Sequence, residues 1–208
     1  MSSYICHINN YTSCRYMWYL KFFLFLSAMF FSSCDKRDDI ESISFIGDSL
    51  IARWDTENYF TSYNTLNLGK GGSGVEWIEQ HRESLTNQTV VVLTGTNDLK
   101  RIGDNEELQA YVCRYINAVT RLNARKIILV SVLPKNRDVG ISENIIQLIR
   151  DFNRMIQEQI EQSETIVYCD VFDEFIVGDE LNMNLSYDGV HLNSFGYEIL
   201  TNKVKECL

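Results

Sequence analysis

The sequence predicts an α/β fold whose parallel sheet is covered on both faces, and three observations carry that expectation. Short apolar runs such as TVVVLTG, KIILVSVL and TIVYCDVF recur along the chain, separated by segments of helical spacing. The runs are continuous rather than alternating, as expected of strands buried on both faces. The 208 residues are 45% hydrophobic and 23% charged with a single proline, which suits one domain with a sizeable core and excludes disorder and low complexity.

The elements follow in order. SISFIG, apolar from 43 to 47, reads as a buried strand, with a helical stretch from about Ser49. NTLNL (64–68) is a second short strand, followed by helical spacing in GVEWIEQHRESL. TVVVLTG (89–95) is the strongest strand signal, because it is β-branched and wholly apolar at its centre. NEELQAYVCRYINAVTRLN (105–123) places Leu108, Tyr111, Val112, Ile116 and Val119 on one helical face. KIILVSVL (126–133) is a fourth strand, SENIIQLIRDFNRMIQEQIEQ (142–162) a long amphipathic helix, and TIVYCDVF (165–172) a fifth strand. SFGYEILTNKVKECL closes as a helix expected to be capped by Ser194. No internal repeat is present, and no domain boundary falls after residue 40.

The N-terminus reads differently. Arg15 and Lys21 precede an apolar run from Phe22 to Phe31, then small residues and Cys34. This ten-residue run, apolar but for Ser27, is too short for a spanning helix but matches the core of a secretory signal. Phe31-Ser32-Ser33-Cys34 resembles the lipobox of bacterial lipoproteins, although Phe31 stands where Leu is usual. That resemblance implies a signal over 1–33, lipid on Cys34 as the membrane anchor, and a charged tether over 34–41. A long leading segment leaves either Met1 or Met17 as the start, and cleavage after the earlier Leu-Ser-Ala would instead release the protein.

Charge and cysteine use narrow the partners. The formal net charge of −9 offers no basic patch for phosphates and argues against nucleic acid. With Cys6, Cys14 and Cys34 assigned to the leader, Cys113, Cys169 and Cys207 remain, an odd number without C-x-x-C spacing. The expectation is no zinc framework, no disulfide framework, and buried thiols at Cys113 and Cys169. No metal and no organic cofactor are called for.

In parallel α/β sheets, ligands gather at the carboxyl ends of the strands. The first three strands end in GDSL (47–50), LGKGGSG (68–74) and GTND (95–98). Gly69, Gly71 and Gly74 spell a dinucleotide fingerprint, but they follow the second strand rather than the first. Nor is GKGGS a phosphate-binding P-loop, since Lys70 precedes the glycines. Ser49, directly after a buried strand, has the setting of an exposed nucleophile. It needs a base. His7 lies in the leader and His81 in a helix with a solvated look, beside Glu79 and Arg82. His191 stands three residues after Asp188, a spacing that lets a carboxylate hold the imidazole tautomer. Asn97 and a block-two glycine are candidate donors to an oxyanion.

Taken together, FIGDSL, NLGKGG, GTND and DGVHLN resemble the four blocks of the SGNH (GDSL-type) hydrolase superfamily of esterases and lipases, over essentially all of 42–208. The resemblance implies a flavodoxin-like, three-layer α/β/α fold with a five-stranded parallel sheet. It implies Ser49 as nucleophile and Asp188 and His191 as the Asp-x-x-His pair. Its oxyanion hole would be the Ser49 amide, the Gly72 amide and the Asn97 side chain, with Gly69 a turn residue. Asp48 and Asp98 read as local turn and network residues. The block spacing most resembles the platelet-activating-factor acetylhydrolase-like and carbohydrate O-acetylesterase-like branch, which removes small acyl groups. The implied substrate is a small-molecule or glycan ester. A lysophospholipase- or thioesterase-type acyl hydrolase, or a non-catalytic glycan-binding lipoprotein on the same scaffold, are the alternatives. Trp54, Tyr59 and Phe60 read as core before substrate wall, and Lys135 to Arg137 as a solvated loop.

Overall fold

The computed structural model describes residues 40–81, 84–136 and 145–208. The expected signal over 1–33, Cys34, most of the tether, Arg82 and Arg137 lie outside the described residues. In chain order the elements are β1 (Ser42–Gly47), α1 (Ser49–Ala52), α2 (Thr56–Tyr59), β2 (Asn64–Gly69), α3 (Val75–Gln80), β3 (Thr89–Leu93) and α4 (Thr96–Leu99). There follow α5 (Asn105–Thr120), β4 (Lys126–Val130), α6 (Ile145–Ile160), β5 (Ile166–Cys169), α7 (Phe172–Phe175), a hairpin of β6 (Ile176–Val177) and β7 (Glu180–Leu181), a 3-10 turn (Met183–Leu185), and α8 (Ser194–Cys207).

Five strands form one parallel sheet in the order β2-β1-β3-β4-β5. Alternation along each strand divides the core. Val90 and Val92 of β3, with Ile127 and Leu129 of β4, face a cluster built with α3, α5 and α6. Val91 and Leu93, with Ile128 and Val130, face a second cluster built with α1, Trp54, Phe60 and α8. This is the expected three-layer arrangement, and the flavodoxin-like strand order puts a switch point at β1 and β3.

Several expectations are corrected. The helical stretch at Ser49 is a single turn, because Asp55 starts a second one by accepting from the Asn58 amide. The closing helix is capped by Asn193, whose side chain accepts from the Gly196 amide; Ser194 is its first residue. Trp54 and Phe60 are core as expected, with the Trp54 indole donating to Thr201 Oγ1 at 3.0 Å, while Tyr59 is half-buried. Lys135, expected on a solvated loop, is only 4% exposed. Cys169 and Cys207 form a disulfide, contrary to the expected absence of one. They sit 38 residues apart, at the end of β5 and the end of α8, and meet only because α8 packs back against the sheet. Cys113, expected to be buried, is half-buried and takes no part in the disulfide. Among the described residues, no helix is long and apolar enough to cross a membrane.

Candidate active site

Ser49 opens α1 directly beyond β1. The Asp48 amide donates to Leu93 O of β3 at 3.3 Å, tying the turn to the strand next to it. Asp48 Oδ1 then accepts from the Leu50 amide at 2.9 Å and caps the turn. Among the described residues, no acceptor meets the Ser49 amide. Asp48 is 1% exposed, and burial drives its pKa up to about 6 despite the Leu50 amide, the Thr96 hydroxyl and the His191 charge, which pull it down. Its Oδ2 and the neighbouring Thr96 Oγ1 complete no hydrogen bond of ordinary geometry.

His191 arrives from the opposite end of the chain. Ser186 and Leu192 form an antiparallel bridge, and Ser186 Oγ donates to His191 O at 2.8 Å, closing the loop between them. Asp188 Oδ1 accepts from the Val190 and His191 amides at 3.0 and 2.7 Å, leaving Oδ2 for the ring. Asp188 Oδ2 lies 2.7 Å from His191 Nδ1, and His191 Nε2 lies 3.0 Å from Ser49 Oγ. Partial burial pushes the Asp188 pKa up. Hydrogen bonds from the His191 ring, its amide and the Val190 amide outweigh that and bring it to about 2. Ser49, His191 and Asp188 therefore meet in one hydrogen-bonded series. Such a series can carry a proton from a hydroxyl to a ring whose tautomer is held by a carboxylate.

The expected donors come from the loops after β2 and β3. The Lys70 amide donates to Gly47 O at 3.0 Å, and Ser73 Oγ donates to Gly47 O and Lys70 O, stitching residues 70–73 to the end of β1. Gly72 is exposed with φ +75°, and a Cβ there would meet no atom but would sit on left-handed backbone. Asn97 Nδ2 donates to Ser73 O at 2.9 Å. One N–H of that amide is thus spent on locking the loop, and the other is left over. Gly69 is corrected: it is the last residue of β2, and its Cβ would lie 2.1 Å from the Ala52 amide nitrogen. It permits close packing of α1 rather than a turn. Its neighbour Asn67 donates to Ile51 O and Trp54 O, binding β2 to the segment after Ser49.

Asp98 does more than turn the chain. Its Oδ2 accepts from the Val75 amide at 2.9 Å and from the Tyr111 hydroxyl at 2.7 Å, joining the block-two loop to α5. Burial and the adjacent carboxylate push the Tyr111 pKa far up, so the phenol remains a donor. Sequence reasoning did not find Ser73, whose carbonyl and hydroxyl link the two donor loops. A serine in a glycine-rich loop gives no such signal. His81 is not part of the site: its Nδ1 lies 2.9 Å from Trp77 O and its ring packs on that indole.

A family model described as the GDSL-like Lipase/Acylhydrolase family matches residues 45–199. The N-acylneuraminate cytidylyltransferase of Escherichia coli O18:K1:H7 is 30% identical over 183 residues, 83% of this chain. The chain spans only 42% of that relative's length. Similar solved structures include a GDSL-like lipase from Bacteroides thetaiotaomicron, with 24% identity, coverage of 81% and 88% of the two chains, and a TM-score of 0.65. An acetylxylan esterase from Geobacillus stearothermophilus has 17% identity, coverage of 80% and 93%, and a TM-score of 0.59.

Proposed function

Since the chain belongs to the GDSL-like lipase/acylhydrolase family and is an ester-hydrolysing enzyme, we propose that it is a serine esterase removing short acyl groups, acetyl foremost, from carbohydrate or small lipid esters. The observation that carries this reading is the unbroken series from Ser49 Oγ through His191 to Asp188. Ser49 attacks the acyl carbonyl while His191 Nε2 takes its proton, and the ring then gives that proton to the leaving alcohol. Asp188 holds the tautomer and faces the charge that forms on the ring. The Ser49 and Gly72 amides and the second N–H of Asn97 receive the oxyanion. Water, activated by the same histidine, releases the acid and restores Ser49.

The carbohydrate part of the reading is supported by two names among the similar proteins, one acting on acetylated xylan and one named for an acylneuraminate. Rates on nitrophenyl esters from acetate to laurate, beside acetylated sugars, test it. Preference for acetate and for the sugars is expected, and preference for laurate contradicts the short-acyl assignment.

We place the enzyme at the bacterial cell envelope, anchored through lipid on Cys34 with 1–33 removed. The Cys169–Cys207 disulfide supports export, because such bonds persist in oxidising compartments. Cys34→Ala is expected to move the protein from the membrane to the soluble fraction, and an unchanged distribution contradicts the anchor.

A further inference from the structure

Among the described residues, exposed large apolar side chains are few, and three of them fall within one short segment. Met183 is 52% exposed, Tyr187 72% and Phe195 67%. This segment is the one that delivers His191. An exposed apolar group beside a reactive centre is a contact looking for a ligand when its backbone is fixed.

The backbone here is fixed. The Tyr187 amide donates to His191 O at 3.0 Å, so the two residues are direct neighbours across the Ser186–Leu192 bridge. The Asn193 amide donates to Leu185 O at 3.0 Å, and Gly196 packs against the same carbonyl. Phe195, between them, therefore stands on the first turn of α8 beside the segment that ends in Tyr187. Neither ring is buried in the core, and the backbone sets Tyr187 beside His191 and Phe195 on the first turn of the helix that follows it.

The reaction says which part of the substrate lies there. The Ser49 oxygen forms the acyl bond, the bond from the acyl carbon to the alcohol oxygen breaks, and the proton from Ser49 passes through His191 Nε2 to that oxygen. The leaving alcohol must touch His191, while the acyl oxygen turns toward Gly72 and Asn97. Exposed residues that flank His191 along this segment thus border the alcohol.

We infer that Tyr187 and Phe195 form a leaving-group platform and that the alcohol it takes is a pyranose lying with its C–H face on the Tyr187 ring. This rests on the serine-esterase reading above. Along the segment the exposed apolar residues Met183, Tyr187 and Phe195 alternate with the polar Asn184, Asp188 and Asn193. A sugar ring, apolar on its face and hydroxylated at its edge, matches that mixture, and a lipid tail does not.

The test uses the full chain and two acetate esters with different alcohols, methyl tetra-O-acetyl-glucopyranoside and ethyl acetate. In Tyr187→Ala the ratio of kcat/KM for the sugar over ethyl acetate is expected to fall about tenfold, mainly through KM, with a smaller fall in Phe195→Ala. Tyr187→Phe is expected to restore the ratio, since the ring and not the hydroxyl makes the contact. An unchanged ratio in Tyr187→Ala overturns the platform and leaves the esterase standing, because ethyl acetate is still turned over. Loss of turnover on an acetylated glycerol lipid, with the sugar ratio intact, overturns the sugar assignment. A wild-type enzyme inactive on both esters removes the esterase reading and the platform together.

Discussion

The Asn97 side-chain amide donates to the Ser73 carbonyl at 2.9 Å, joining the loop after β3 to the glycine loop after β2. That bond fixes the orientation of the amide and leaves its second N–H unspent, as the proposed oxyanion role requires. Asn97→Ala is expected to lower kcat by about 10²–10³ with little change in KM, read by steady-state kinetics on a nitrophenyl acetate. An unchanged kcat removes Asn97 from the oxyanion hole.

Asp98 acts on the same loop from beneath, through the Val75 amide and the Tyr111 hydroxyl. Gly74 packs so tightly on this carboxylate that a Cβ would lie 2.2 Å from Oδ1. Gly74→Ala is therefore expected to displace the glycine loop and lower kcat at least as steeply as it lowers the melting temperature. A variant that melts early yet keeps full kcat at low temperature speaks against this coupling.

The two site carboxylates pull stability in opposite directions with pH. Asp188 has a pKa near 2, below its ordinary value of 3.8. It contributes stability that is complete above pH 4 and is lost as pH falls through about 2. Asp188→Asn is expected to flatten that acid limb and to lower kcat by roughly 10⁴.

Asp48 has the reverse sign. Its pKa is raised from 3.8 to about 6, so the folded state holds a proton that the unfolded chain releases. Stability falls as pH rises from about 4 to about 6 and stays lowered above that. Asn keeps the cap on Leu50 without titrating. The melting temperature of Asp48→Asn relative to wild type is expected to climb across that window in a thermal-melt series, and a constant difference contradicts the buried-carboxylate account.

The Cys169–Cys207 bond closes a 38-residue separation and ties the end of α8 to β5. Its loss is expected to cost about 2–4 kcal/mol, measured by chemical unfolding of Cys207→Ala or of the reduced protein. Equal stability in both forms would show that the disulfide adds nothing to the contacts that already hold α8.

Most of the fold was legible because its strands are continuous apolar runs, and parallel sheets leave few other ways to cover them. The candidate site was legible because Ser49 and Asn97 follow strand ends, while Asp188 and His191 share one short motif on the loop before α8. Ser49, Asn97, Asp188 and His191 carry their signal locally, even though Ser49 and His191 stand 142 residues apart. What stayed hidden depends on tertiary proximity. The disulfide needs α8 folded back on the sheet. The burial of Lys135 and the linking role of Ser73 follow from neighbours far along the chain. The cap shifted from Ser194 to Asn193 because both residue types cap well and only the backbone decides between them.

The central claim is that Ser49 is the nucleophile activated by His191. Covalent labelling by a fluorophosphonate probe, followed by intact-mass and peptide mapping, tests it most directly. The account predicts one adduct, on Ser49, absent in Ser49→Ala and greatly slowed in His191→Ala. Labelling that persists in folded Ser49→Ala, or a folded wild type that takes up no probe, would contradict it.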